Sequence, residues 1–334
     1  MIISRTPFRV SFFGGGTDYP AWYESEPGAV LVTTIDKYCY ISCRRLPPFF
    51  PHRHRIVYSK IENTRTVEEI VHPAVRESLR FLKIEEGVEI HHDGDLPARA
   101  GLGSSSAFTV GLLSALYALK GQIVGKMHLA REAIHVERDL AREAVGAQDQ
   151  VATAHGGLNH IEFVGNDITV HPVTLSQARL EQLESHLMLF FTGLTRNASE
   201  VAAQQIHNTQ RNAVRLRAMC GMVDEALQIL ASPGDLSGFG ALLDESWRLK
   251  RELADEVTNS RIDRMYDSAL AAGALGGKLL GAGGGGFLLL FVEPERQPGV
   301  EAALEGLLRV PFRFERQGTQ IIFYDEAARL PSGH

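Results

Sequence analysis

One stretch limits what this chain can fold into more than any other: residues 97–107, Pro-Ala-Arg-Ala-Gly-Leu-Gly-Ser-Ser-Ser-Ala. Two glycines one residue apart give the backbone conformations that other residues avoid, and they let a ligand approach the main chain closely. The apolar run from Ala107 to Leu119 predicts a helix directly after the serines. A glycine-rich turn at a helix N-terminus points several N–H groups at one place, which favours a bound phosphate. The serine hydroxyls add donors for that phosphate, or an oxygen ligand for Mg²⁺.

Other interpretations of this stretch compete with a phosphate loop. Serine is a favoured N-cap, so a capped helix after a simple turn also fits the residues. A Walker loop requires Gly-Lys-Ser/Thr, but Gly277-Lys278 is followed by Leu279. A Rossmann fingerprint requires a third glycine where Ser106 stands. One proline, two glycines and three serines ahead of a long apolar helix together favour phosphate binding.

As a string, the stretch resembles the phosphate-binding motif of the galactokinase, homoserine kinase, mevalonate kinase and phosphomevalonate kinase (GHMP) superfamily, Pro-x-x-x-Gly-Leu-Gly-Ser-Ser-Ser/Ala-Ala. The resemblance implies an ATP-dependent kinase that uses Mg²⁺. It also implies a two-domain α+β fold with ATP and sugar between the domains, the C-terminal one ferredoxin-like. The residues that it assigns to ATP are Pro97, Gly101, Leu102, Gly103, Ser104, Ser105 and Ser106.

A second similarity lies near the N-terminus, where Arg9 precedes Gly-Gly-Gly-Thr-Asp-Tyr at residues 14–19. Three glycines before Thr-Asp fit a plain loop, but they also fit a backbone that passes close under a ligand. The stretch is similar to the first motif of the superfamily's sugar kinases. That similarity implies that Arg9 lies near the reaction centre, and it assigns the substrate to Gly15, Gly16, Thr17 and Asp18. Galactokinases have Glu-His in place of the last two glycines, which argues against galactose.

A helix predicted over residues 126–144 carries Glu137, and Asp149 follows twelve residues after that glutamate. Most helix glutamates are solvated, and an aspartate at this place is also explained as an N-cap. The spacing resembles that of the superfamily's metal-binding glutamate and catalytic aspartate. The resemblance therefore implies that Glu137 and Ser105 hold Mg²⁺. It also implies that Asp149 takes or orients the acceptor proton, while Arg9 keeps this carboxylate ionised.

Residues 278–286, Lys-Leu-Leu-Gly-Ala-Gly-Gly-Gly-Gly, formally contain Gly-x-Gly-x-x-Gly. A strand follows this run rather than a helix, so the context excludes a dinucleotide fingerprint. A flexible hairpin is the plain alternative. The run resembles the third motif of the superfamily, a loop that closes over the site, and the resemblance implies substrate contacts by Gly283, Gly284 and Gly285.

The order of predicted elements gives two domains, residues 1–185 and 186–334. Two short strands, residues 2–4 and 9–13, are expected on either side of Pro7. The second domain has a strand-helix-strand-strand-helix-strand order, which is the ferredoxin-like pattern. Its predicted elements are a strand at 187–191, long helices within 200–257, strands at 278–280 and 287–292, a helix at 300–308, and strands at 312–315 and 320–324.

A formal charge of −6 and a pI near 6.1 argue against nucleic acid or an anionic membrane as the main partner. Three scattered cysteines, Cys39, Cys43 and Cys220, fit reduced thiols rather than a disulfide framework. The N-terminus lacks the apolar core of a signal peptide, so we expect a cytoplasmic protein. Its expected partners are ATP and a small sugar phosphate. The residues leave the oligomeric state open, a homodimer included.

Residues 14–19 together with residues 192–199 most resemble the heptose kinases that phosphorylate the anomeric hydroxyl of D-glycero-D-manno-heptose 7-phosphate. Those kinases feed nucleotide-heptose synthesis for surface polysaccharide such as lipopolysaccharide or capsule. A substrate phosphate requires cationic partners, for which Arg196 is the first choice, although an exposed first-turn arginine fits equally well. The alternatives are a fucose- or mannose-type kinase of an unphosphorylated sugar, and a non-catalytic sensor of sugar or ATP. Intact Arg9, Glu137 and Asp149 argue against the sensor.

Overall fold

The computed structural model describes residues 1–98, 100–194 and 198–325. Within these ranges the strands form a nine-stranded sheet and a four-stranded sheet. In chain order the strands are β1 (Ile2–Phe13), β2 (Gly28–Arg45), β3 (His54–Val57), β4 (Ile61–Thr64), β5 (Val88–Gly94), β6 (Leu158–Val164), β7 (Asp167–Pro172), β8 (Leu187–Phe191), β9 (Ala274–Leu279), β10 (Phe287–Val292), β11 (Leu308–Arg309), β12 (Phe314–Glu315) and β13 (Gln320–Tyr324).

Eleven α-helices surround these sheets in the described part of the chain. They are α1 (Pro20–Tyr23), α2 (Pro73–Phe81), α3 (Ser104–Leu119), α4 (Lys126–Ile134), α5 (Gln148–His155), α6 (Gln177–Ser185), α7 (Ala198–His207), α8 (Ala213–Ala231), α9 (Ser237–Arg251), α10 (Ser260–Ala271) and α11 (Gln297–Ala303). A π-helix (His135–Leu140) follows α4, and a 3₁₀ turn (Pro294–Arg296) precedes α11. None of the helices that the structure describes is long and apolar enough to cross a membrane.

The first sheet is built on the antiparallel pair β1 and β2. Two short strands around Pro7 were the expectation, but β1 runs unbroken through this proline. The pairing register between β1 and β2 shifts at this proline: Pro7 lies opposite Tyr38, and the next residue, Phe8, lies opposite Ile35. The two extra residues of β2 form a bulge, which lets one long strand bend instead of ending. β1 therefore carries Arg9 into the middle of the molecule.

The second sheet has the order β11-β8-β10-β9, and all its pairs are antiparallel. This arrangement confirms the ferredoxin-like order of the C-terminal part. The expected last strands of this sheet were wrong, because β12 pairs with β2 and β13 pairs with β1 in the first sheet. The short β11 already fills the edge position beside β8, and the following segment pairs with unfilled backbone groups of the first sheet. The boundary between residues 185 and 186 stays a prediction.

Helix α3 is buried against β1 and β2, and its position fixes the place of the site. Eleven of its sixteen residues are buried, so apolar and small side chains surround most of the helix. Such a helix lies inside a protein rather than on its surface. Its N-terminus therefore has a fixed direction relative to the start of β1.

Candidate active site

The N-terminus of α3 and the turn before it form the expected phosphate loop. Gly101 and Gly103 have φ angles of +82° and +72°, a region that other residues rarely adopt. The first intrahelical bond joins the N–H of Ala107 to the carbonyl oxygen of Gly103 at 2.8 Å. The N–H groups of the first turn lie ahead of that bond and have no acceptor in the helix. This backbone fits an anion, as the glycine spacing predicts.

The ATP-assigned residues of this loop differ in exposure. Pro97 and Ser105 are exposed, and Gly101 and Ser104 are partly buried. Leu102, Gly103 and Ser106 are buried. The exposed residues lie where a ligand could reach them, while the buried ones hold the loop.

Arg9 and Asp149, 140 residues apart in the chain, form a bidentate pair below this loop. Two guanidinium nitrogens of Arg9, Nε and one terminal NH2, donate to the two carboxylate oxygens of Asp149, each at 2.7 Å. The other terminal nitrogen donates to the carbonyl oxygen of Gly101, also at 2.7 Å. A Cβ at Gly103 would lie 3.4 Å from Asp149 Oδ2. The ion pair and the phosphate loop are therefore one packed unit.

Asp149 occupies the first turn of α5, where the helix dipole favours a carboxylate. Arg9 is 4% exposed, while 23% of the Asp149 side chain is exposed. Bidentate pairing fixes the orientation of both groups. The open side of Asp149 is thus the side from which an acceptor hydroxyl could approach.

Asp18 supplies a second carboxylate close to this pair, and it is 2% exposed. Its Oδ1 accepts from the N–H of Gly16 at 3.0 Å. Burial, followed by the charge of Asp149, raises the pKa of Asp18 above its usual range. A Cβ at Gly146 would lie 1.9 Å from Asp18 Oδ2, so only glycine leaves room for this carboxylate.

The other substrate-assigned residues near Asp18 have different surroundings. Gly15 lies next to the side chain of Gln148. Thr17 does not fit the expected substrate contact, because it is fully buried and its hydroxyl bonds main-chain groups of the protein. It donates to the carbonyl oxygen of Gly14 at 2.7 Å, and it accepts from the N–H of Ala29 at 3.1 Å. Thr17 therefore holds the glycine turn against β2.

Glu137 lies in the π-helix, whereas the sequence predicts a regular helix over residues 126–144. The wider turn is closed by the bond from the N–H of Ala141 to the carbonyl oxygen of Val136, at 2.8 Å. π-Helical turns shift the side chains that follow and are common at functional sites. Hydrophobic periodicity gives no sign of such a turn, because it inserts a single extra residue.

The Glu137 carboxylate is fully buried and surrounded by neutral donors. Its Oε2 accepts from Ser106 Oγ at 2.9 Å and from Gln150 Nε2. Its Oε1 accepts from Thr109 Oγ1 at 2.7 Å. Burial raises the pKa of Glu137 to about 7, although these three hydrogen bonds oppose the shift. No lysine or arginine among the described residues forms an ion pair with Glu137.

The serine that bonds Glu137 is Ser106, not Ser105. Ser106 and Thr109 are three residues apart in α3, so both project towards the π-helix. Ser105 precedes Ser106 by one residue, which turns it by about 100° around the helix axis to an exposed position. Spacing alone does not reveal this difference between adjacent serines. Gln150 was also missed as a partner of Glu137, although it follows Asp149 in the same motif.

The glycine run after β9 closes against the phosphate loop. Gly283, Gly284 and Gly285 are buried, and a Cβ at Gly281 would lie 2.5 Å from the Cα of Gly101. The N–H of Phe287, just after the run, donates to the carbonyl oxygen of Ala100 at 3.2 Å. The run therefore connects the second sheet to the phosphate loop. Its contacts with a substrate stay a prediction.

Arg196, the expected partner of a substrate phosphate, lies outside the described residues. Two lysines that the sequence did not single out are placed near the Arg9–Asp149 pair instead. Lys250 is 7% exposed and Lys278 is 3% exposed. Lysines are rarely buried, so only a three-dimensional structure could have found this pair.

Two family profiles match this chain. The family profile described as "GHMP kinases N terminal domain" matches residues 65–157. The profile described as "GHMP kinases C terminal" matches residues 202–308. Together the two profiles span more than half of the chain, and the first contains the phosphate loop, Glu137 and Asp149.

Three similar proteins carry names that refer to sugar kinases. D-glycero-alpha-D-manno-heptose 7-phosphate kinase from Campylobacter jejuni is 28% identical over 96% of this chain and 98% of its own length. The bifunctional fucokinase/GDP-fucose pyrophosphorylase of Arabidopsis thaliana is 25% identical over 86% of this chain, but only 29% of its own length. The crystal structure of a D-glycero-D-manno-heptose 1-phosphate kinase from Bacteroides thetaiotaomicron matches with a TM-score of 0.74 and 25% identity. This match covers 98% of this chain and 100% of the solved chain.

Proposed function

Because the chain belongs to the GHMP kinase family, we propose that it is an ATP-dependent sugar kinase acting on D-glycero-D-manno-heptose 7-phosphate. The reaction transfers the γ-phosphoryl group of ATP to the anomeric hydroxyl, which gives the 1,7-bisphosphate. Such a product would enter nucleotide-heptose synthesis for surface polysaccharide. The observation that carries the proposal is the Arg9–Asp149 pair, packed directly below the N-terminus of α3.

Phosphoryl transfer depends on charge neutralisation and alignment more than on covalent chemistry. The N–H groups of the loop and the hydroxyls of its serines would hold the phosphates of ATP. Asp149 would accept or orient the anomeric proton from its open side. Arg9 holds that carboxylate in place through two bonds, and its charge favours negative charge that develops on the phosphoryl group. Asp18 would accept hydrogen bonds from sugar hydroxyls.

The residues around Glu137 fit Mg²⁺ in charge and in ligand type. A carboxylate has about four lone-pair sites, and three of those of Glu137 are used by Ser106, Thr109 and Gln150. One site on Oε1 remains for a hard cation, which would also offset the burial of the charge. Ser105 offers an exposed hydroxyl next to Ser106. When bound, Mg²⁺ neutralises the phosphates of ATP.

This metal site would depend strongly on the nucleotide. The described residues contain no group of three or more histidine, cysteine, aspartate or glutamate side chains placed to hold a metal. A Mg²⁺ ion in proteins often takes one or two carboxylates and completes its shell with phosphates and water. We therefore propose that Glu137 and Ser105 hold the ion only together with ATP.

Support for the heptose phosphate comes from two similarities, one to a relative and one to a solved structure. The curated relative is named for the 7-phosphate, and the solved structure is named for a heptose 1-phosphate kinase. Neither similarity exceeds 28% identity, so a substrate assay is the decisive test.

The experiment compares heptose 7-phosphate with mannose in an assay of ATP consumption. We expect kcat/KM for the heptose phosphate to be at least ~100-fold higher, about 2.7 kcal/mol, which is reasonable for charge-assisted contacts. A panel that includes fucose and galactose serves as the control for general sugar kinase activity. Equal efficiency on the phosphorylated and unphosphorylated sugars would contradict the heptose phosphate assignment.

A kinase of an unphosphorylated sugar such as fucose or mannose is the second candidate. The similarity to the bifunctional fucokinase favours it, since that match extends over 86% of this chain. The same assay separates the two candidates, because the second predicts full activity without a phosphate on the acceptor.

A further inference from the structure

Two buried lysines lie beside the centre formed by Arg9 and Asp149, and the proposed mechanism does not use them. Lys278 is in β9, and its Nζ donates to the carbonyl oxygen of Phe12 at 2.7 Å. Lys250 is in α9, and its Nζ donates to the carbonyl oxygens of Leu279, at 2.9 Å, and Gly281. Neither lysine has a carboxylate within ion-pair distance in the described structure. Both charges are therefore solvated only by neutral acceptors, which is costly for a buried ion.

The acceptors of the two lysines belong to the loops that surround the proposed reaction centre. Phe12 lies in β1, just before the glycine turn that leads to Asp18. Gly281 packs against Gly101, whose carbonyl oxygen accepts from Arg9. The two ammonium groups and the Arg9 guanidinium thus lie behind the phosphate loop and the proposed sugar turn.

The charges in this cluster do not balance. Arg9, Lys250 and Lys278 supply three cations, and Asp18 and Asp149 supply two carboxylates. Burial, followed by the charges of Lys278 and Arg9, lowers the pKa of Lys250 well below its usual range, while Asp18 and Asp149 oppose that shift. Burial, followed by the charge of Arg9, lowers the pKa of Lys278 to about 7, and Asp18 opposes it. An anion in this place would stabilise the protonated form of both lysines.

The hydrogen-bonding capacity of Lys278 agrees with an anionic ligand. A protonated lysine has three donors, and the described protein gives Lys278 a single acceptor, Phe12. A lysine that served only to hold this carbonyl would do so in either protonation state. It would also take up no proton when a ligand binds.

We propose that Lys278 and Lys250 bind a phosphate oxyanion at this centre. The inference rests on the proposed function, because it requires phosphorylated ligands at this site. The oxyanion has two sources, the γ-phosphate of ATP and the phosphate of the sugar substrate.

The test is calorimetric titration of the full-length protein at pH 8 in buffers with different ionisation enthalpies. The ligands are Mg²⁺-ATP, heptose 7-phosphate and mannose, each added alone. At this pH Lys278 is mostly neutral without ligand, given its pKa of about 7. We expect uptake of up to about one proton with at least one phosphorylated ligand, and almost none with mannose. The ligand that shows the uptake identifies which phosphate the lysines contact.

Arginine and methionine variants separate the charge of Lys278 from its packing. Lys278→Arg keeps a positive charge at pH 8, so it should bind phosphate without proton uptake. Lys278→Met should bind the same ligand more weakly at every pH. Lys120→Arg is the matched control, because Lys120 is exposed and bonds the carbonyl oxygen of Leu82 far from the site. This control should show the same uptake as the wild type.

Other titrating groups do not obscure the comparison. Glu137 also changes its environment on binding, but it is the same in the wild type and in Lys278→Arg, so its contribution cancels. Asp18 is coupled to Lys278, so its share is measured by the mannose titration, in which Asp18 also meets the sugar. Thermal melting checks that each variant is folded, and Lys250→Arg gives a second comparison if Lys278→Arg is not.

Each outcome decides a different point. A wild-type protein that binds neither ATP nor any sugar contradicts the proposed function itself. Binding of phosphorylated ligands without proton uptake, or with the same uptake in the lysine-to-arginine variant, overturns the role of the lysines while leaving the kinase intact. Equal uptake with mannose and heptose 7-phosphate, with none for ATP, also overturns it.

Discussion

The candidate site contains two carboxylates that the sequence predicts to be functional, Asp149 and Glu137. Their burial and their hydrogen-bond partners are opposite. Asp149 is partly exposed and forms a bidentate ion pair with Arg9. Glu137 is completely buried and receives three hydrogen bonds from neutral groups. The first carboxylate has its countercharge in the folded chain, and the second does not.

This difference indicates separate roles for the two carboxylates. A carboxylate whose charge is already balanced can keep a fixed orientation and act on a proton. A buried carboxylate without a cation is stabilised when a metal ion arrives. We therefore assign the acceptor hydroxyl to Asp149 and the ion to Glu137, and four changes to the chain test that assignment.

The largest effect is expected for Asp149→Asn. The variant keeps the shape of the side chain but loses the charge that orients or accepts the acceptor proton. We expect kcat to fall by about two to four orders of magnitude, while the sugar Kd changes little because Asp18 is intact. Steady-state kinetics and equilibrium sugar binding measure the two quantities.

The control for this prediction is Asp267→Asn, which changes an exposed aspartate on α10. It should have wild-type kinetics. A folded Asp149→Asn protein with wild-type turnover would remove Asp149 from the mechanism.

The second effect concerns stability and pH. The pKa of Glu137 is about 7 in the folded protein, whereas the ordinary glutamate value of 4.5 applies to the unfolded chain. Below pH 4.5 both states hold the proton, so the contribution to stability is complete there, and it is lost as the pH rises through 7. The loss is at most about 3 kcal/mol. Glutamine does not titrate, so Glu137→Gln does not lose this stability as the pH rises. The free energy of unfolding of the variant minus that of the wild type should therefore increase from pH 4.5 to pH 7.

Urea unfolding over a pH series without metal measures this difference. Glu225→Gln changes an exposed glutamate on α8 and should follow the wild type at every pH. A constant difference between Glu137→Gln and the wild type from pH 4.5 to 8 would show that Glu137 is not held in its protonated form.

The third effect is on the metal requirement. Glu137→Gln replaces a charged ligand by a neutral one, so the half-saturating Mg²⁺ concentration should rise about tenfold or more. Ser105→Ala should raise it by a smaller factor, because a hydroxyl is a weaker ligand than a carboxylate. Titration of Mg²⁺ at saturating ATP gives these values. Unchanged half-saturation in both variants would refute the proposed metal ligands.

The smallest effect is expected for Gly146→Ala, which tests the sugar side of the comparison. The new Cβ would lie 1.9 Å from Asp18 Oδ2, so this carboxylate must move. We expect the sugar KM to rise several-fold, at a strain of roughly 1–3 kcal/mol. Gly221→Ala is the control, because a Cβ at this helix position meets no atom within 4 Å. Equal sugar KM values for Gly146→Ala and Gly221→Ala would show that Asp18 does not contribute to sugar binding.

The phosphate loop was predictable from sequence because its evidence is local. Glycines at 101 and 103 and an apolar run from Ala107 are adjacent in the chain, and they fix both the turn and the helix start. The ferredoxin-like order also follows from the succession of elements, and the family resemblance implies the α+β class. These features depend on neighbours in sequence.

The remaining features depend on contacts between distant residues. The Arg9–Asp149 bonds join two ends of a 140-residue interval, so the family resemblance brought these residues together, whereas no local pattern gives the bidentate geometry. The π-helix adds one residue to a turn, which periodicity does not resolve, and the motif at residues 278–286 does not show that Lys278 is buried. The placement of β12 and β13 follows from which backbone groups of the first sheet are unfilled, and these are known only once the fold exists.

The measurement that tests the central claim most directly is ³¹P NMR of the product formed from ATP and heptose 7-phosphate. The claim is that the Arg9–Asp149 centre transfers a phosphoryl group to the anomeric oxygen. It predicts a new phosphorus signal coupled to the anomeric proton, with the 7-phosphate signal retained, and at least ~100-fold slower growth of that new signal in Asp149→Asn. Release of inorganic phosphate alone, or a new phosphate on any other hydroxyl, would contradict it.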